Sequence, residues 1–298
     1  MSDQALDIVL NALMRMDANG AHPHASQLAV GRLRATPASA PQSPAPAPPR
    51  AEAPIRAKPA PVRESAPMPR LDPVLLVPPA PIPPEAPTVA GSKAARLATL
   101  RGPVLVCTRC PHLVKSRKKV VFGVGNPEAE LMFIGEAPGA DEDLVGEPFV
   151  GKAGQLLTKI IEAMDFRRPD VYIANVLKCR PDTPPGASGN RKPTPEEMNV
   201  CKPYLLQQIE IIQPKVIVAL GGTAVEGLLG IEKAFITQLR GTWKTFQGIP
   251  LMPTFHPSYL LRNQANTEKR KVWEDMMLVL ERLGRKITPR QRAFFRST

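Results

Sequence analysis

Leu131-Met-Phe-Ile-Gly-Glu-Ala-Pro-Gly139 is the stretch that decides the fold of this 298-residue chain. Its apolar first half predicts a buried strand, and Gly135, Glu136 and Pro138 predict a sharp turn where that strand ends. A second run, Gly146-Glu-Pro-Phe-Val-Gly-Lys-Ala-Gly154, follows and predicts the start of a helix. Ligands of open α/β sheets bind in the loops at the carboxyl ends of strands. The acidic loop between the two runs is therefore a candidate site.

The segments around this stretch alternate between strand and helix patterns. Buried strands are predicted over 130–135, 171–176, 215–220 and 251–255, and helices over 154–164, 194–212, 223–229 and 267–283. Such alternation is typical of a mainly parallel sheet with helices on both faces, a three-layer α/β/α architecture. The strand ends then bring residues 136–149, Asn175, Gly221-Gly222 and His256 to one edge of the sheet.

Composition divides the chain into four segments. We expect an amphipathic helix in residues 1–20, a Pro/Ala-rich disordered linker over 21–92, a folded domain over 93–285 and a basic tail over 286–298. Of the 36 prolines, 18 lie between Pro37 and Pro87, and such a segment has too little apolar surface to fold. The first helix either folds back onto the domain or, slightly preferred, is a tethered motif that binds a protein partner.

The formal net charge of +12 points to a polyanionic partner, nucleic acid first. Basic residues concentrate in Lys115-Ser-Arg-Lys-Lys119 and in the last segment, from Arg282 to Thr298. Because a solvated basic surface is common, charge alone does not establish nucleic-acid binding. The chain start is too acidic for a signal peptide and no apolar run spans a bilayer, so we expect a cytoplasmic protein without a membrane partner. Nothing in the sequence requires more than a monomer.

Four cysteines, Cys107, Cys110, Cys179 and Cys201, form a candidate metal site. The first two are separated by Thr and Arg, and the two later cysteines complete a set of four thiolates. Nothing suggests secretion, so a disulfide framework is not expected. Four thiolates fit either zinc or an iron–sulfur cluster, and the spacing alone does not separate the two.

The second informative motif is His256-Pro-Ser-Tyr-Leu-Leu-Arg262, which follows the last predicted strand. A lone histidine after a strand is more often structural than catalytic. Here, however, Ser258 can donate to a phosphate, Leu260 and Leu261 form an apolar pair at a predicted loop tip, and Arg262 is cationic. An apolar wedge beside cationic and hydroxyl groups is how DNA enzymes push a base out of the stack.

Together these residues resemble the family 4 uracil-DNA glycosylases. The resemblance is carried by Gly135-Glu-Ala-Pro-Gly139, the run 146–154, Asn175-Val-Leu-Lys-Cys179-Arg-Pro181, the His256 motif and the four cysteines. It covers roughly residues 105–283. It implies a central four-stranded, mainly parallel sheet between helices and a structural [4Fe–4S] cluster, which selects iron over zinc. It also implies hydrolysis of the N-glycosidic bond of deoxyuridine in uracil-containing DNA.

That reaction leaves an abasic site without strand cleavage and is the first step of base-excision repair. By the same resemblance, the enzyme is expected at the nucleoid. The cluster ligands are then Cys107, Cys110, Cys179 and Cys201, and the cluster takes no part in the hydrolysis. Residues 182–188 look like a short insertion in the loop that follows the third of these cysteines.

The resemblance implies a role for each site residue: catalysis by Glu136, Glu142 and His256, a base pocket of Gly135, Ala137, Phe149, Asn175 and His256, and DNA contacts by Ser258, Leu260, Leu261 and Arg262. Phe149 would stack on a flipped uracil, and Asn175 would hydrogen-bond the N3 and O4 edge, which rejects cytosine. His256 would donate to uracil O2 and stabilise the departing anion. Glu136, slightly preferred over Glu142, would orient water and stabilise the cationic sugar.

Two departures leave questions open. Family 1 enzymes carry an aspartate at the position of Ala137 and a tyrosine at that of Gly139, so the water activator and the exclusion of thymine stay undecided. No histidine lies between Cys179 and Cys201, which argues for turnover and against the covalent trapping of DNA known in a related group.

Two alternative functions remain. The first is a related glycosylase of broader base specificity, such as family 5, which lacks a carboxylate at the position of Glu136. The second is a non-catalytic DNA-binding module of the same fold. The presence of Glu136 argues against the first. The presence of Glu136, Phe149, Asn175 and His256 together argues against the second.

Overall fold

The computed structural model describes residues 91–181, 183 and 189–296. The amino-terminal helix and nearly all of the linker predicted over 1–92 lie outside the described residues. So does the insertion-like segment 182–188, except for Thr183.

The described residues alternate between helices and strands, as the sequence predicts. In chain order they are α1 (Lys93–Leu105), α2 (Pro111–Ser116), β1 (Val124–Gly125), β2 (Leu131–Gly135), α3 (Ala140–Val145), α4 (Lys152–Ala163), β3 (Tyr172–Asn175), α5 (Pro195–Ile212), β4 (Val216–Leu220), α6 (Gly222–Leu229), α7 (Ile236–Leu239), β5 (Lys244–Phe246), β6 (Ile249–Thr254), α8 (Pro257–Arg262), α9 (Asn266–Arg282) and α10 (Pro289–Ala293). A 3-10 turn at Arg168–Asp170 precedes β3.

The strands form one six-stranded mixed sheet in the order β1-β3-β2-β4-β6-β5. The four central strands are parallel, whereas β1 and β5 pair antiparallel with their neighbours at the two edges. The predicted α/β class is confirmed, and the predicted count of four strands holds for the parallel centre alone. The edge strands contain only two and three residues, too few to give a periodic pattern.

The parallel strands are buried on both faces. Leu131, Met132, Phe133 and Ile134 of β2 are fully inaccessible to solvent, and β4 is buried along its whole length. Burial on both faces explains why these strands read as continuous apolar runs and not as alternating ones. The chain passes from β2 to β3 on one side and returns to β4 on the other. This reversal opens a crevice beside the end of β2, where ligands of such sheets bind.

Helix α5 shows why the sequence predicts its start so well. Thr194 accepts a hydrogen bond from the backbone N–H of Glu197, and the Glu197 carboxylate accepts one from the backbone N–H of Thr194. Pro195 occupies the first helical position. This capping box with an amino-terminal proline is a strong helix start.

No helix was predicted for Lys93–Leu105, which nonetheless forms α1 and buries Leu97, Leu100 and Val104.

The folded domain extends beyond the boundary predicted at Arg285. Trp273 of α9 donates its indole N–H to the backbone oxygen of Gln291, at 2.5 Å. The Gln291 amide in turn donates to the backbone oxygen of Ala163, at 3.0 Å. Ile287 and Phe294 are buried as well. Much of the predicted basic tail is therefore a packed part of the domain, because its apolar residues anchor it.

Among the described residues, no helix is long and apolar enough to cross a membrane.

Candidate active site

A cleft of about 740 Å³ opens at the carboxyl edge of the parallel strands. Its walls include Glu136 after β2, Asn175 at the end of β3, Gly221 after β4 and His256 after β6. Phe149, from the loop between α3 and α4, completes this set. The structure thus brings together the four places that the sequence assigned to one sheet edge, because Phe149 ends the first of them, residues 136–149.

Asn175 and Phe149 meet above Gly135. A Cβ placed on Gly135 would lie 2.5 Å from Asn175 Oδ1 and 2.6 Å from Phe149 Cζ, so only glycine fits there. Asn175 is 2% exposed, and its Oδ1 is the one buried side-chain atom without a hydrogen-bond partner in the described part of the chain. An unpaired buried amide oxygen is costly unless a ligand satisfies it. The Phe149 ring therefore presents a flat apolar face beside an Asn175 amide oxygen that lacks a hydrogen-bond partner.

The loop that carries Phe149 is held in an unusual conformation. Phe149 has φ of +55°, in the left-handed region that non-glycine residues rarely adopt. The guanidinium of Arg168 donates to the backbone oxygen of Pro148, at 2.7 Å. A Cβ on Gly154 would lie 1.7 Å from the backbone oxygen of Phe149, so α4 can approach only through a glycine. Local strain of this kind is retained where a side chain must point into a site.

Glu142 braces the same loop. One carboxylate oxygen accepts hydrogen bonds from the backbone N–H groups of Val150 and Gly151, at 3.0 and 3.1 Å. The other accepts from the backbone N–H of Gly139, at 3.0 Å. The sequence made Glu142 a candidate to orient water. Both of its oxygens already accept hydrogen bonds from backbone, and these contacts hold the loop that carries Phe149.

His256 is a neutral hydrogen-bond donor. Its Nδ1 accepts a hydrogen bond from the backbone N–H of Ser258, at 3.1 Å, and lies 2.8 Å from the Ser258 hydroxyl oxygen. Burial, with a smaller effect from the positive charge of Arg262, lowers the pKa of His256 to about 4. The ring is therefore uncharged near neutral pH and carries its proton on Nε2. Its centroid lies 5.5 Å from that of Phe149.

Glu136 is a partly buried carboxyl that lines the cleft. Burial raises its pKa, against a hydrogen bond from the Thr223 side chain and the charge of Lys192, which lower it. Lys192 is itself held by an ion pair with Glu226, at 2.5 Å. A carboxylate with a raised pKa is a stronger base than a solvated one, which suits it to accept a proton from water.

The predicted DNA-binding motif differs from expectation in one respect. Residues 257–262 form helix α8 and not a loop tip, because Pro257 follows the cap residue His256 and starts a helix. Leu260 faces inward and is 5% exposed, packed with Phe255 and Val272. Leu260 is therefore a core residue and cannot act as a wedge. Leu261 is half-buried and Arg262 is exposed.

The four cysteines are brought together from three segments, and Cys107 and Cys110 share the one between α1 and α2. Cys110 precedes α2, Cys179 follows β3 and Cys201 lies in α5, and the pKa of each of these thiols is raised, first by burial. Neighbouring thiols raise these pKa values further: Cys107 acts on Cys110 and Cys179, and Cys179 acts on Cys201. The four side chains therefore lie close enough to interact.

Donors already point at two of these sulfurs. The Arg117 guanidinium donates to Cys179 Sγ at 3.1 Å and to the backbone oxygen of Cys107 at 2.7 Å. The backbone N–H of Lys178 donates to Cys201 Sγ at 3.2 Å. N–H donors to sulfur favour the thiolate form. Across the described ranges, no group of three or more His, Cys, Asp or Glu side chains is arranged to hold a single metal ion.

Sequence reasoning missed one buried residue next to the site. Lys178 is only 1% exposed, and its ammonium donates to the backbone oxygen of Asn175 at 2.9 Å and to Gln208 Oε1 at 2.6 Å. Gln208 also donates to the backbone oxygen of Phe122, at 2.9 Å. Lysine is almost never fully buried, so no sequence pattern marks it as a core residue. It nonetheless supports the residue whose amide faces the cleft.

The fold and the site define a class of α/β protein whose cleft, at the carboxyl edge of a parallel sheet, has the groups to bind a flat polar ring. A stacking ring, an unpaired amide, a neutral imidazole donor and a basic carboxylate are the groups needed to bind such a ring and to hydrolyse a bond to it.

Known proteins agree with this class. The family model described as the uracil DNA glycosylase superfamily matches residues 122–277. A type-4 uracil-DNA glycosylase from Thermotoga maritima is 51% identical over 174 residues, covering 57% of this chain and 85% of that protein. One from Archaeoglobus fulgidus is 41% identical over 185 residues, covering 57% and 88% respectively. A type-5 uracil-DNA glycosylase from Thermus thermophilus is 28% identical over 207 residues, covering 58% and 89%. The chain therefore belongs to the uracil DNA glycosylase superfamily and, within it, to the type-4 enzymes.

Proposed function

We propose that this protein removes uracil from DNA by hydrolysing the bond between the base and its deoxyribose. The unpartnered Oδ1 of Asn175 beside the Phe149 ring carries the proposal, because it provides both a stacking face and an unmet hydrogen bond. The membership in the type-4 family supports the same reaction.

Base recognition follows from the amide and the ring. The Phe149 face stacks on a base turned out of the helix, and any base satisfies it. The Asn175 amide pairs with the N3–H and O4 of uracil, where it both accepts and donates. Cytosine presents the reverse pattern at this edge and leaves the buried amide unpaired, which costs about 1–3 kcal/mol. Ala137 and the bare Gly135 leave room for the ring.

Bond cleavage places negative charge on uracil and positive charge on the sugar. As the bond breaks, its electron pair moves to N1 and O2 of the base. The Nε2–H of neutral His256 donates to O2 and stabilises this anion without transferring a proton in advance. The Glu136 carboxylate stabilises the sugar cation and takes a proton from the water that adds to it. The products are free uracil and an abasic site.

The DNA strand runs over the cationic rim of the cleft. Arg262 is exposed at the carboxyl end of α8, and the Ser258 hydroxyl lies at its start. Leu261 is the remaining apolar residue of the motif with access to solvent. We assign phosphate contacts to Arg262 and Ser258 and a base contact to Leu261.

We further propose that Cys107, Cys110, Cys179 and Cys201 hold a [4Fe–4S] cluster. The support is a set of four neighbouring thiols, with N–H donors from Arg117 and Lys178 directed at two of them. All-thiolate ligation is what such clusters require. When bound, the cluster would cross-link the segments around α2, β3 and α5, and it supplies no step of the hydrolysis. Partner binding by residues 1–20 stays a prediction.

The test is strand scission by alkali after incubation with an oligonucleotide that contains one uracil. We expect cleavage at uracil, none at a thymine control, and a loss of at least 100-fold in Glu136→Gln, His256→Ala and Asn175→Ala, in line with the loss of one transition-state contact. Glu281→Gln, an exposed carboxylate of α9 that does not line the cleft, is the matched control and should leave the rate unchanged. An inactive wild-type protein that still shows the brown absorbance of a cluster would refute the enzymatic function.

The same assay separates the alternative of a broader base specificity. Duplexes that carry hypoxanthine or ethenocytosine in place of uracil should be poor substrates, because the Asn175 amide is matched to the uracil edge. Excision of these bases at the rate of uracil would favour a type-5-like activity.

A further inference from the structure

Phe235 is exposed at the rim of the cleft, where the proposed reaction gives it no role. Its side chain is 62% exposed, and it is the only exposed phenylalanine of the described residues. It directly precedes Ile236 and Thr237, which line the cleft. We propose that Phe235 is a stacking platform for a nucleobase next to the uracil in the substrate strand. This inference rests on the proposed function.

The backbone around Phe235 is fixed on both sides. The preceding N–H, of Ala234, donates to Glu226 Oε1 at 3.1 Å, and Glu226 Oε2 binds Lys192 at 2.5 Å. The Phe235 carbonyl accepts hydrogen bonds from the backbone N–H groups of Gln238 and Leu239, at 2.9 and 3.2 Å. The Phe235 ring therefore projects from a loop whose backbone is already fixed. A base that stacks on this ring need not order the loop, so binding loses little conformational entropy.

The loop that carries Phe235 also packs against the wall of the cleft. Ile236 lies against the cluster formed by Phe255, Leu260 and Val272, which underlies helix α8. A Cβ on Gly222 would lie 2.5 Å from the Ala234 oxygen, so the Phe235 loop packs directly on the start of α6. Phe235 thus continues the surface that already holds the extruded base.

The chemistry of this rim selects a nucleic-acid strand as the occupant. Lys192 and Arg262 also line the cleft and provide the positive charge that phosphates need. A base turned into the cleft leaves its neighbours in the strand unstacked on one side, and an aromatic face replaces the lost stacking. Because Leu260 is buried in the core, the motif after β6 offers only half of its predicted apolar wedge. Phe235 supplies a further apolar contact for a base at the cleft mouth.

Steady-state excision from a uracil-containing oligonucleotide tests the platform. Phe235→Ala should raise KM roughly tenfold or more, the loss expected for one base–aromatic stack, with kcat changed less than threefold. Phe235→Trp keeps a stacking face and should restore the wild-type KM. Ile231→Ala is the matched control, because Ile231 is an apolar residue of the same loop, 40% exposed and not part of the cleft wall.

Fluorescence gives a readout that does not depend on excision. In the Glu136→Gln background, 2-aminopurine next to the uracil should be quenched on binding through stacking, and Phe235→Ala should abolish this quenching on one side of the uracil. A KM within twofold of wild type for Phe235→Ala, or quenching unchanged on both sides, would overturn the inference and leave Phe235 to a protein partner. An inactive wild-type protein would instead refute the proposed function.

Discussion

Gly135→Ala adds one methyl group at the point where the base pocket has no spare room. The new Cβ would lie 2.5 Å from Asn175 Oδ1 and 2.6 and 2.7 Å from two carbons of the Phe149 ring. Ordinary contacts need about 3.4 Å or more, so the amide and the ring must each move by about 1 Å. A displacement of this size costs about 100-fold in rate, or about 2.7 kcal/mol of transition-state stabilisation.

The effect on stability should be smaller than the effect on rate. Overpacking costs about 1–3 kcal/mol, and the lower end applies here because both displaced side chains border an open cleft. The assay compares kcat/KM for uracil excision with the urea midpoint of unfolding.

Gly102→Ala is the control for the same chemical change, since its Cβ would meet nothing within 4 Å in helix α1. It should keep full activity, because Gly102 does not line the cleft. Activity of Gly135→Ala within threefold of wild type would refute the view that this glycine shapes the base pocket.

Three further predictions follow from the hydrogen bonds of the site and of the cysteine set. Glu142→Gln replaces one acceptor of the Phe149 loop by a donor that faces a backbone N–H. KM should therefore rise, and the free energy of unfolding should fall by about 1–3 kcal/mol. An unchanged urea midpoint would show that Glu142 does not stabilise this loop. The C2 proton of His256 should titrate in NMR spectra near pH 4, because burial lowers the pKa of this histidine. Its contribution to stability should be lost as pH falls from about 6.5 to that value, since the unfolded chain binds the proton first. A midpoint near the ordinary pKa of about 6.5 would show that the folded site does not favour the neutral ring. Arg117→Met should speed the loss of brown absorbance in the presence of a chelator, whereas the exposed Lys115→Met should not; equal rates would show that Arg117 does not support the cluster.

The central sheet could be predicted from sequence because burial on both faces leaves a simple pattern. Predicted and observed starts differ by one residue for β2, β3 and β4 and by two for β6. The edge strands β1 and β5 were missed because two or three residues carry no periodicity. The residues at the strand ends then followed from topology, since parallel strands end at one edge of a sheet.

Side-chain environment was less predictable. The sequence suggested that Leu260 lies at a surface tip, but one turn of helix after Pro257 rotates it into the core. Glu142 was treated as a free carboxylate, although it accepts hydrogen bonds from the backbone of a loop eight and nine residues away. Lys178 is buried because Asn175 and Gln208 provide acceptors for its ammonium, and those partners come from tertiary contacts. Such contacts leave no signal in a single sequence.

The parallel register of the central strands has a consequence for cooperativity. Glu136 and His256 are 120 residues apart in the chain and come together only when β2, β4 and β6 lie side by side. No single supersecondary unit contains a complete pocket, so no form in which these central strands have separated can hold the base. Amide hydrogen exchange should therefore show the pocket residues opening with the global unfolding event, while the edge strands β1 and β5 exchange earlier. Excision activity then serves as a reporter of the intact sheet.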